Sequence, residues 1–189
     1  KLLDLSQKNV NYFQEELKKR KMLQLDGKTD AEKKAILYQA QKDLFLPELP
    51  EHIECFDNSN FQGSYPVSAM VYFNVKTVEG INDFATMKEA VYRRYKRLIA
   101  EEEPLPQLVI IDGGKGQLSA ALEAINDLKL NRKMTVIGLA KNEEEVFFSG
   151  DRQSLKLDWG SDSLKLLRQI RDEVHRFGIT FHRKKRSQG

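Results

Sequence analysis

Leu108-Val109-Ile110-Ile111-Asp112-Gly113-Gly114-Lys115-Gly116-Gln117 is the stretch that decides the fold. Four apolar residues, most of them β-branched, predict a buried strand, and the glycine-rich turn after Asp112 predicts the start of a helix. An aspartate at the end of a buried strand is costly unless a metal ion, nearby cations or backbone N–H groups compensate its charge. Glycines let backbone N–H groups approach an anion closely, and Lys115 adds a positive charge. The stretch therefore predicts metal-assisted phosphate chemistry.

A second strand of the same kind precedes it in the chain. Ile53-Glu54-Cys55-Phe56-Asp57 is again a short, mostly apolar run that ends in an aspartate. A hairpin and a helix predicted between this run and the strand at 108–111 allow the two strands to be parallel neighbours joined by a right-handed crossover. Asp57 and Asp112 then lie side by side, where two carboxylates can hold Mg²⁺ or Mn²⁺ for phosphodiester hydrolysis. Either aspartate alone is more typical of a turn or a helix cap, but both together favour a catalytic site.

Further candidate site residues lie on the helices. Asp83 precedes a helix, where it is interpreted equally well as an N-cap or as a third carboxylate. His175 lies within the last helix, where a histidine is usually structural. Imidazole has an ordinary pKa near neutral, so the same residue also suits a metal ligand or a proton-transfer group. His182 is a weaker candidate two turns later, and His52 is interpreted as structural.

Basic residues form two clusters, although the net charge is only +3. The first, Arg93-Arg94-Tyr95-Lys96-Arg97, mixes basic and aromatic side chains on one helix, which suits contacts with a phosphate backbone. The second is His182-Arg183-Lys184-Lys185-Arg186, and the alternative for both clusters is a solvated helix face or a tail. The candidates for DNA or phosphate contact are Lys115, Arg93, Arg94, Arg97 and Arg183.

Spacing and composition exclude several other classes of protein. Lys115 lies between two glycines and is not followed by Ser or Thr, so the P-loop pattern of ATP hydrolysis fails. Cys55 is the single cysteine, which excludes a disulfide within the chain and an all-thiolate metal site. No run approaches the roughly 18 apolar residues of a membrane span. We therefore predict a cytoplasmic protein with no membrane partner, and the start without Met predicts a fragment or a processed chain.

The order of elements predicts an α/β fold in two parts. Residues 1–50 are predicted to form a helical appendage and a linker. A helix with Phe45 among its apolar positions starts there at a capping box of Thr29 and Glu32. Residues 51–189 are predicted to form an RNase H-like mixed sheet flanked by helices. The predicted strands are 53–57, 67–73, 74–78, 108–111, 135–139, 145–148 and 154–157, and the predicted helices are 84–99, 117–128 and 163–182.

Five motifs occur in a fixed order along nearly the whole chain. They are Ile53-Glu54-Cys55-Phe56-Asp57-Asn58-Ser59, Asp83-Phe84-Ala85-Thr86-Met87, Ile110-Ile111-Asp112-Gly113-Gly114-Lys115-Gly116-Gln117, Gly138-Leu139-Ala140-Lys141 and Arg171-Asp172-Glu173-Val174-His175-Arg176-Phe177. Together they resemble the C-terminal half of the UvrC family, the incision subunits of bacterial nucleotide excision repair.

The resemblance implies an RNase H-like endonuclease that makes the incision 5′ to a lesion, after UvrB has loaded onto damaged double-stranded DNA. By that resemblance Asp57, Asp112 and His175 match the catalytic and metal-binding residues, Asp83 matches a further acidic position, and Lys115 lies in the family's loop. The implied cofactor is Mg²⁺, for which Mn²⁺ can substitute.

Some parts of that family pattern are not found in the sequence. The chain has neither the GIY-YIG nuclease domain, which the family uses for the 3′ cut, nor the helix-hairpin-helix pair, so we expect this chain alone to bind DNA weakly. Asn60 stands where some relatives have His, which makes a ligand there doubtful. Between Phe73 and Asn74 the family has a Gly-containing hairpin and a basic strand, so we expect that a loop is omitted there.

The sequence leaves two rival functions. One is a non-catalytic DNA- or protein-docking module on the same fold, and the other is a different RNase H-like nuclease, such as a junction resolvase. Nicking activity distinguishes an incision enzyme from the docking module. A preference for lesion-bearing duplex with UvrB over four-way junctions distinguishes the incision enzyme from a junction resolvase.

Overall fold

The computed structural model describes residues 28–59, 67–69, 83–140, 144–151 and 153–186. Contacts between residues divide the chain into two compact units, residues 1–36 and 37–189, and the predicted domain boundary after residue 50 stays a prediction. In the described part, every helix is too short or too polar to cross a membrane. Outside the described residues lie the predicted helix within residues 1–27, Asn60, the predicted strand residues 70–78 and the junction of Phe73 with Asn74.

Helix α1 (Asp30–Asp43) begins at the predicted capping box. The Thr29 N–H donates to Glu32 Oε2 over 2.6 Å, and the Glu32 N–H donates to Thr29 Oγ1 over 3.3 Å. These reciprocal bonds satisfy N–H groups that have no partner within the first helical turn. The predicted start of this helix is therefore confirmed.

The end of α1 corrects one prediction. The Leu46 N–H donates to the Gln41 carbonyl over 2.9 Å, and Phe45 has a φ of 53°, which together form a Schellman-type helix end. Phe45 is therefore 79% exposed instead of facing inward, because it occupies the left-handed position just after the helix. The flanking Leu44 and Leu46 are buried.

A five-stranded sheet forms the centre of the second unit, within the described residues. Its spatial order is β2-β1-β3-β4-β5; β1, β3 and β4 are parallel, and both edge strands are antiparallel to their neighbours. The predicted α/β fold, a mixed sheet flanked by helices, is confirmed. The strands are β1 (Ile53–Ser59), β2 (Val67–Ala69), β3 (Leu108–Asp112), β4 (Thr135–Ala140) and β5 (Glu145–Phe148), and the remaining helices are α2 (Asp83–Ala100), α3 (Lys115–Asp127) and α4 (Asp162–Arg186).

Several elements differ by a few residues from the predicted bounds, such as α4, which ends at Arg186 instead of residue 182. Two of the differences have a clear structural cause. Helix α3 begins at Lys115 instead of Gln117, because a residue in extended conformation, Gly114, serves as its N-cap. The strand predicted at 154–157 is reduced to one bridge, in which Leu155 and Val146 exchange both backbone hydrogen bonds. A single bridged pair holds this segment beside β5 without extending the sheet.

The alternation of side chains along β1 assigns its residues to two different faces. Phe56 lies in the core between the sheet and helices α2 and α3, whereas Cys55 lies in the core that includes Leu167 and Val174 of α4. Since successive side chains of a strand point to opposite faces, Asp57 shares the α4 face with Cys55. The fold thus directs this carboxylate toward the helix that carries the candidate histidine.

The opposite face of β1 holds a buried carboxylate of another kind. Glu54 Oε1 accepts a hydrogen bond from Arg94 Nη2 over 2.6 Å, Glu54 Oε2 accepts one from the Tyr95 hydroxyl over 3.1 Å, and His52 Nε2 lies 3.2 Å from Oε1. Burial alone raises the pKa of Glu54. Hydrogen bonds and charges from His52 and Arg94 outweigh that effect and lower the pKa from 4.5 to about 2. The Glu54 carboxylate therefore ties β1 to α2.

Replacement of Glu54 should destabilise the fold in a pH-dependent way. We expect Glu54→Gln to lower the free energy of unfolding by about 3 kcal/mol at neutral pH, because it removes the buried negative charge that the Arg94 guanidinium pairs with. A folded-state pKa below the ordinary value means that the Glu54 contribution is complete above pH 4.5 and is lost as the pH falls toward 2. Urea unfolding at neutral pH and at pH about 3 measures this difference.

Glu101→Gln is the matched control, because Glu101 directly follows α2 and pairs with an arginine of that helix. Glu101 accepts a hydrogen bond from Arg97 over 2.6 Å, but this pair lies at the surface. Its replacement should change the free energy of unfolding by less than about 1 kcal/mol. Equal effects of the two substitutions would contradict the role assigned to Glu54.

Candidate active site

Two carboxylates meet where β1 and β3 run side by side. In the parallel register Asp57 lies opposite Asp112, so their Cα atoms are about 4.8 Å apart. Both residues are buried, at 2% and 5% exposure. β1 does not end at Asp57, as predicted, but continues to Ser59, and Asp57 also pairs with Ala69 of β2. The aspartates are thus adjacent, and each is held between two neighbouring strands, Asp57 between β2 and β3 and Asp112 between β1 and β4.

His175 reaches this pair from α4. Its Nδ1 lies 2.9 Å from Asp57 Oδ2, and its side chain is 45% exposed. An ionised carboxylate can only accept, so a hydrogen bond to ionised Asp57 requires the His175 tautomer that carries its proton on Nδ1. Val174, the preceding residue, is buried in the core and fixes this part of α4 against the sheet. The imidazole is therefore oriented by a buried aspartate while its ring reaches solvent.

The turn between β3 and α3 lies close against β4. The Gly113 N–H donates to the Leu139 carbonyl over 3.0 Å. A methyl group on Gly138 would lie only 3.3 Å from the Gly113 carbonyl oxygen and 3.3 Å from Leu118 Cβ. The glycine of the Gly138-Leu139-Ala140 motif thus allows the turn beside Asp112 to rest on the strand.

Lys115 and Phe84 border the same turn. Lys115 begins α3, and its Nζ lies 5.4 Å from the centre of the Phe147 ring on β5. The exposed ring of Phe84 covers Gly116 so closely that a Cβ there would lie 2.6 Å from it. This contact brings the start of α2, and with it the backbone of Asp83, to the turn. The Asp83 side chain is outside the described part of the structure.

A groove of about 590 Å³ continues from Lys115 along the start of β5. At its margin, Lys156 Nζ lies 3.3 Å from Glu145 Oε1. Sequence reasoning missed Lys156, because it belongs to no cluster or motif. The groove is lined by Lys115, Glu145, Phe147, Gln153, Ser154 and Lys156.

The basic residues of α2 do not form one surface. Arg94 was a candidate for DNA contact, but its guanidinium is mostly buried and bonded to Glu54, so we assign it to the fold. Arg93 and Arg97 are more exposed, and each lies beside an acidic residue one turn away. Arg183 lies on α4, and its side chain is outside the described residues.

The other two histidines, His52 and His182, give no described contact with the aspartate pair. His52 contacts Glu54, which agrees with the structural role predicted for it. His182 lies on α4, and nothing of its side chain is described. His175 is the histidine that the described structure brings into contact with Asp57.

Sequence reasoning also missed a buried ion pair near the site. Arg171 Nη1 donates to Glu144 Oε2 over 2.6 Å, and Nη2 donates to Oε1 over 3.0 Å. Burial alone lowers the pKa of Arg171, but Glu144 and Asp172 raise it above its ordinary value. Arg171 belongs to the same motif as His175, but a partner 27 residues away leaves no periodic signal in a sequence.

Asp57 and Asp112 contribute negative charge to this part of the structure, and Arg171 contributes an opposing positive charge. Burial raises the pKa of the Cys55 thiol well above its usual range, and the charges of Asp112 and Asp57 raise it further. A pair of adjacent carboxylates attracts a cation, and carboxylate oxygens are preferred ligands of Mg²⁺ and Mn²⁺. Among the described residues, no three His, Cys, Asp or Glu side chains converge as a ready-made metal site. Two carboxylates suit an ion that keeps several waters and shares the phosphates of its substrate.

The close packing of the turn on β4 gives a test of the site's framework. We expect Gly138→Ala to lower the free energy of unfolding by about 1 to 3 kcal/mol, because the added methyl group presses on a backbone carbonyl and on Leu118. Gly114→Ala is the control, since its Cβ meets nothing within 4 Å and its φ is −82°. Thermal unfolding measures both, and wild-type stability of Gly138→Ala would refute the packing argument.

Known proteins match this chain along most of its length. Residues 41–179 match the family described as the UvrC RNase H endonuclease domain. UvrABC system protein C of Flavobacterium johnsoniae is 53% identical over 98% of this chain and 33% of its own length. The proteins of that name from Cytophaga hutchinsonii and Porphyromonas gingivalis are 52% and 49% identical over 99% of this chain, which covers 32% and 33% of them. The chain thus spans about a third of the length of the relatives that it matches.

These alignments also bear on the length of the chain. They extend over 200 to 202 residues, whereas the chain has 189, so the relatives carry residues that have no counterpart here. The omission predicted between Phe73 and Asn74 lies outside the described residues and stays a prediction. From the family match and the identity over nearly its whole length, the chain belongs to the UvrC RNase H endonuclease domain family.

Proposed function

We propose that this domain hydrolyses a phosphodiester bond of damaged double-stranded DNA and makes the incision 5′ to the lesion. The family is one of endonuclease domains. The observation that carries the proposal is the pairing of Asp57 with Asp112 across β1 and β3, with His175 in contact with Asp57. Two buried carboxylates beside an imidazole that reaches solvent are groups suited to activating water and moving protons.

Mg²⁺ is the proposed cofactor, with Mn²⁺ as a substitute, and Asp57 and Asp112 are the proposed ligands. A divalent ion bound there supplies activation of a water and neutralises charge on the phosphoryl oxygens. The adjacent carboxylates support the fit, and so does the raised pKa of the Cys55 thiol, to which burial contributes most and the two aspartate charges contribute further. His175 does not serve as a ligand through Nδ1 in this proposal, because that nitrogen is bonded to Asp57.

His175 is proposed to move protons. Asp57 Oδ2 holds Nδ1–H, which fixes the tautomer and directs Nε2 away from the buried carboxylate. In that orientation Nε2 can take a proton from the attacking water or give one to the leaving oxygen. Asp83, whose backbone lies at the same turn, is proposed as an outer carboxylate.

The proposed DNA surface starts at Lys115 and includes the groove beside it. Lys115 lies at the N-terminus of α3, where the helix dipole and the backbone N–H groups also favour a phosphate. Lys156 and the Phe147 ring continue this surface. Basic and aromatic side chains in one groove suit a nucleic-acid strand without reading its sequence. Arg93, Arg97 and Arg183 stay candidates for further phosphate contacts.

The proposed partner is UvrB on damaged DNA, and bacterial DNA places the reaction in the cytoplasm. This assignment rests on relatives that are named as component C of the UvrABC system. The docking-module and junction-resolvase alternatives share the fold. They differ in whether the aspartates are needed and in which DNA is cut.

Loss of one aspartate should strongly slow the 5′ cut and leave the 3′ cut unchanged. In a full-length protein that carries this chain, with UvrB and a lesion-bearing duplex, we expect Asp112→Asn to slow the 5′ incision by at least about 100-fold. Chelation should stop the 5′ cut, and added Mg²⁺ or Mn²⁺ should restore it. Gel separation of end-labelled products measures each cut.

Asp127→Asn is the control for that experiment, because Asp127 lies at the far end of α3 and pairs with Lys88 at the surface. It should incise as the wild type does. An unchanged 5′ cut in Asp112→Asn would refute the proposed function, and retained DNA binding without nicking by any variant or the wild type would favour the docking module. Faster cutting of four-way junctions would favour a resolvase.

Phosphate contact by Lys115 should appear in the salt dependence of binding. We expect Lys115→Ala to weaken binding to all DNA sequences alike and to reduce the slope of log K against log salt by about 1. Lys88→Ala is the control, since Lys88 pairs with Glu123 and Asp127 between two helices. Fluorescence anisotropy over a salt series, in the full-length protein, measures both slopes. An effect limited to particular sequences would contradict the proposed contact.

A further inference from the structure

The Glu144–Arg171 pair has a geometry that a simple charge contact does not require. The two Arg171 nitrogens donate to different oxygens of one carboxylate, over 2.6 and 3.0 Å. Both side chains are almost completely buried. Two parallel bonds fix distance and orientation together, because the planar guanidinium and the planar carboxylate must lie in one plane.

Glu144 itself is held in a costly position. It lies between β4 and β5, directly before the start of β5, and its φ is 52°. That left-handed conformation is unfavourable for a residue with a side chain, and its carboxylate is buried as well. The surrounding structure therefore fixes this carboxylate near the carboxyl ends of the parallel strands, where Asp112 also lies.

Arg171 connects α4 to this fixed carboxylate on the side of the helix that carries His175. It lies four residues before His175, so the two side chains project from the same side of the helix, one turn apart. Polar contacts thus attach this stretch of α4 at two separate places. Arg171 binds Glu144 beside β5, and His175 binds Asp57 on β1.

Apolar packing alone leaves this stretch of α4 less well defined. Leu167 and Val174 bury the helix against the sheet, but contacts between aliphatic side chains have no directional bonds that specify rotation or sliding. Small shifts of α4 would move the imidazole away from Asp57. The bidentate pair supplies the directional contact that the apolar face lacks.

We propose that Glu144 and Arg171 are positioning residues, which set the rotation and axial position of α4 so that His175 meets Asp57. The inference rests on the proposed function, since it assigns them to the same incision site. A purely stabilising role makes a different prediction, because a buried ion pair can often be replaced by apolar side chains without loss of stability.

Two replacements separate these roles in a full-length protein with UvrB and a lesion-bearing duplex. Arg171→Lys keeps the charge but cannot form the two parallel bonds. The double variant Glu144→Leu with Arg171→Met keeps buried volume and removes both charges. We expect both to lower kcat of the 5′ cut by about 10- to 100-fold, with KM changed less than about twofold, because a misplaced catalytic group slows the chemical step. Thermal unfolding of both variants is measured, and the midpoint of the double variant should stay close to that of the wild type.

A spectroscopic measurement makes the result independent of activity. In protein labelled with ¹⁵N-histidine, the Nδ1–H signal of His175, identified by its loss in His175→Gln, should weaken or shift in both variants. Lys165→Met, a change of an exposed α4 residue that pairs with Asp162, should leave the signal and the incision rate unchanged. The signal reports the contact with Asp57 even where a variant is less stable.

The outcomes distinguish this inference from the proposed function. Wild-type kcat and an unchanged His175 signal in the variants would overturn the positioning role while the 5′ cut of the wild type stands. Absence of the 5′ cut in the wild type, or its persistence in Asp112→Asn, would instead overturn the proposed function. A wild-type kcat in Arg171→Lys would show that the charge alone matters and would also refute the inference.

Discussion

Two carboxylates held on adjacent parallel strands repel each other, and burial increases that repulsion because little water screens it. The register of β1 with β3 leaves Asp57 and Asp112 no means of separating. β1 is hydrogen-bonded on its other side to β2 at the same residue, so Asp57 cannot withdraw without breaking the sheet. The strand pairing therefore maintains an unfavourable charge arrangement, and a cation relieves it. The cofactor proposal follows from this constraint more directly than from any single residue.

The remaining parts of the site are attached to the same edge of the sheet by short-range contacts. The Gly113 N–H binds β4, and the ring of Phe84 lies on Gly116, so the turn after Asp112 is held from two sides. Helix α4 is held by polar bonds at its beginning as well as near His175, because the Ser163 hydroxyl donates to Asp43 over 2.6 Å. Each contact is local, but together they fix the imidazole relative to the carboxylates.

The sequence predicted well those elements whose pattern lies within a few consecutive residues. The apolar runs before Asp57 and Asp112 predicted parallel neighbours, and the capping box predicted the start of α1, since both signals are local. The role of Arg94 was not predictable, because its basic cluster is also typical of a DNA surface and its partner Glu54 lies 40 residues earlier. Glu144 gave no signal for the same reason. Pairings between distant charges depend on the tertiary structure, which a single sequence does not reveal.

β1 shows why a buried carboxylate can serve either the fold or the chemistry. Glu54 and Asp57 are three residues apart, so the strand directs them to opposite faces. Glu54 meets a guanidinium, a phenol and an imidazole, and the lowered pKa shows that its charge is well compensated. Asp57 instead lies beside another carboxylate and a histidine that reaches solvent. A carboxylate whose neighbours already satisfy it has little to offer a ligand, whereas one placed beside a like charge gains from binding a cation. The alternation of side chains along the strand therefore separates a structural acid, Glu54, from the proposed metal ligand Asp57 only three residues later.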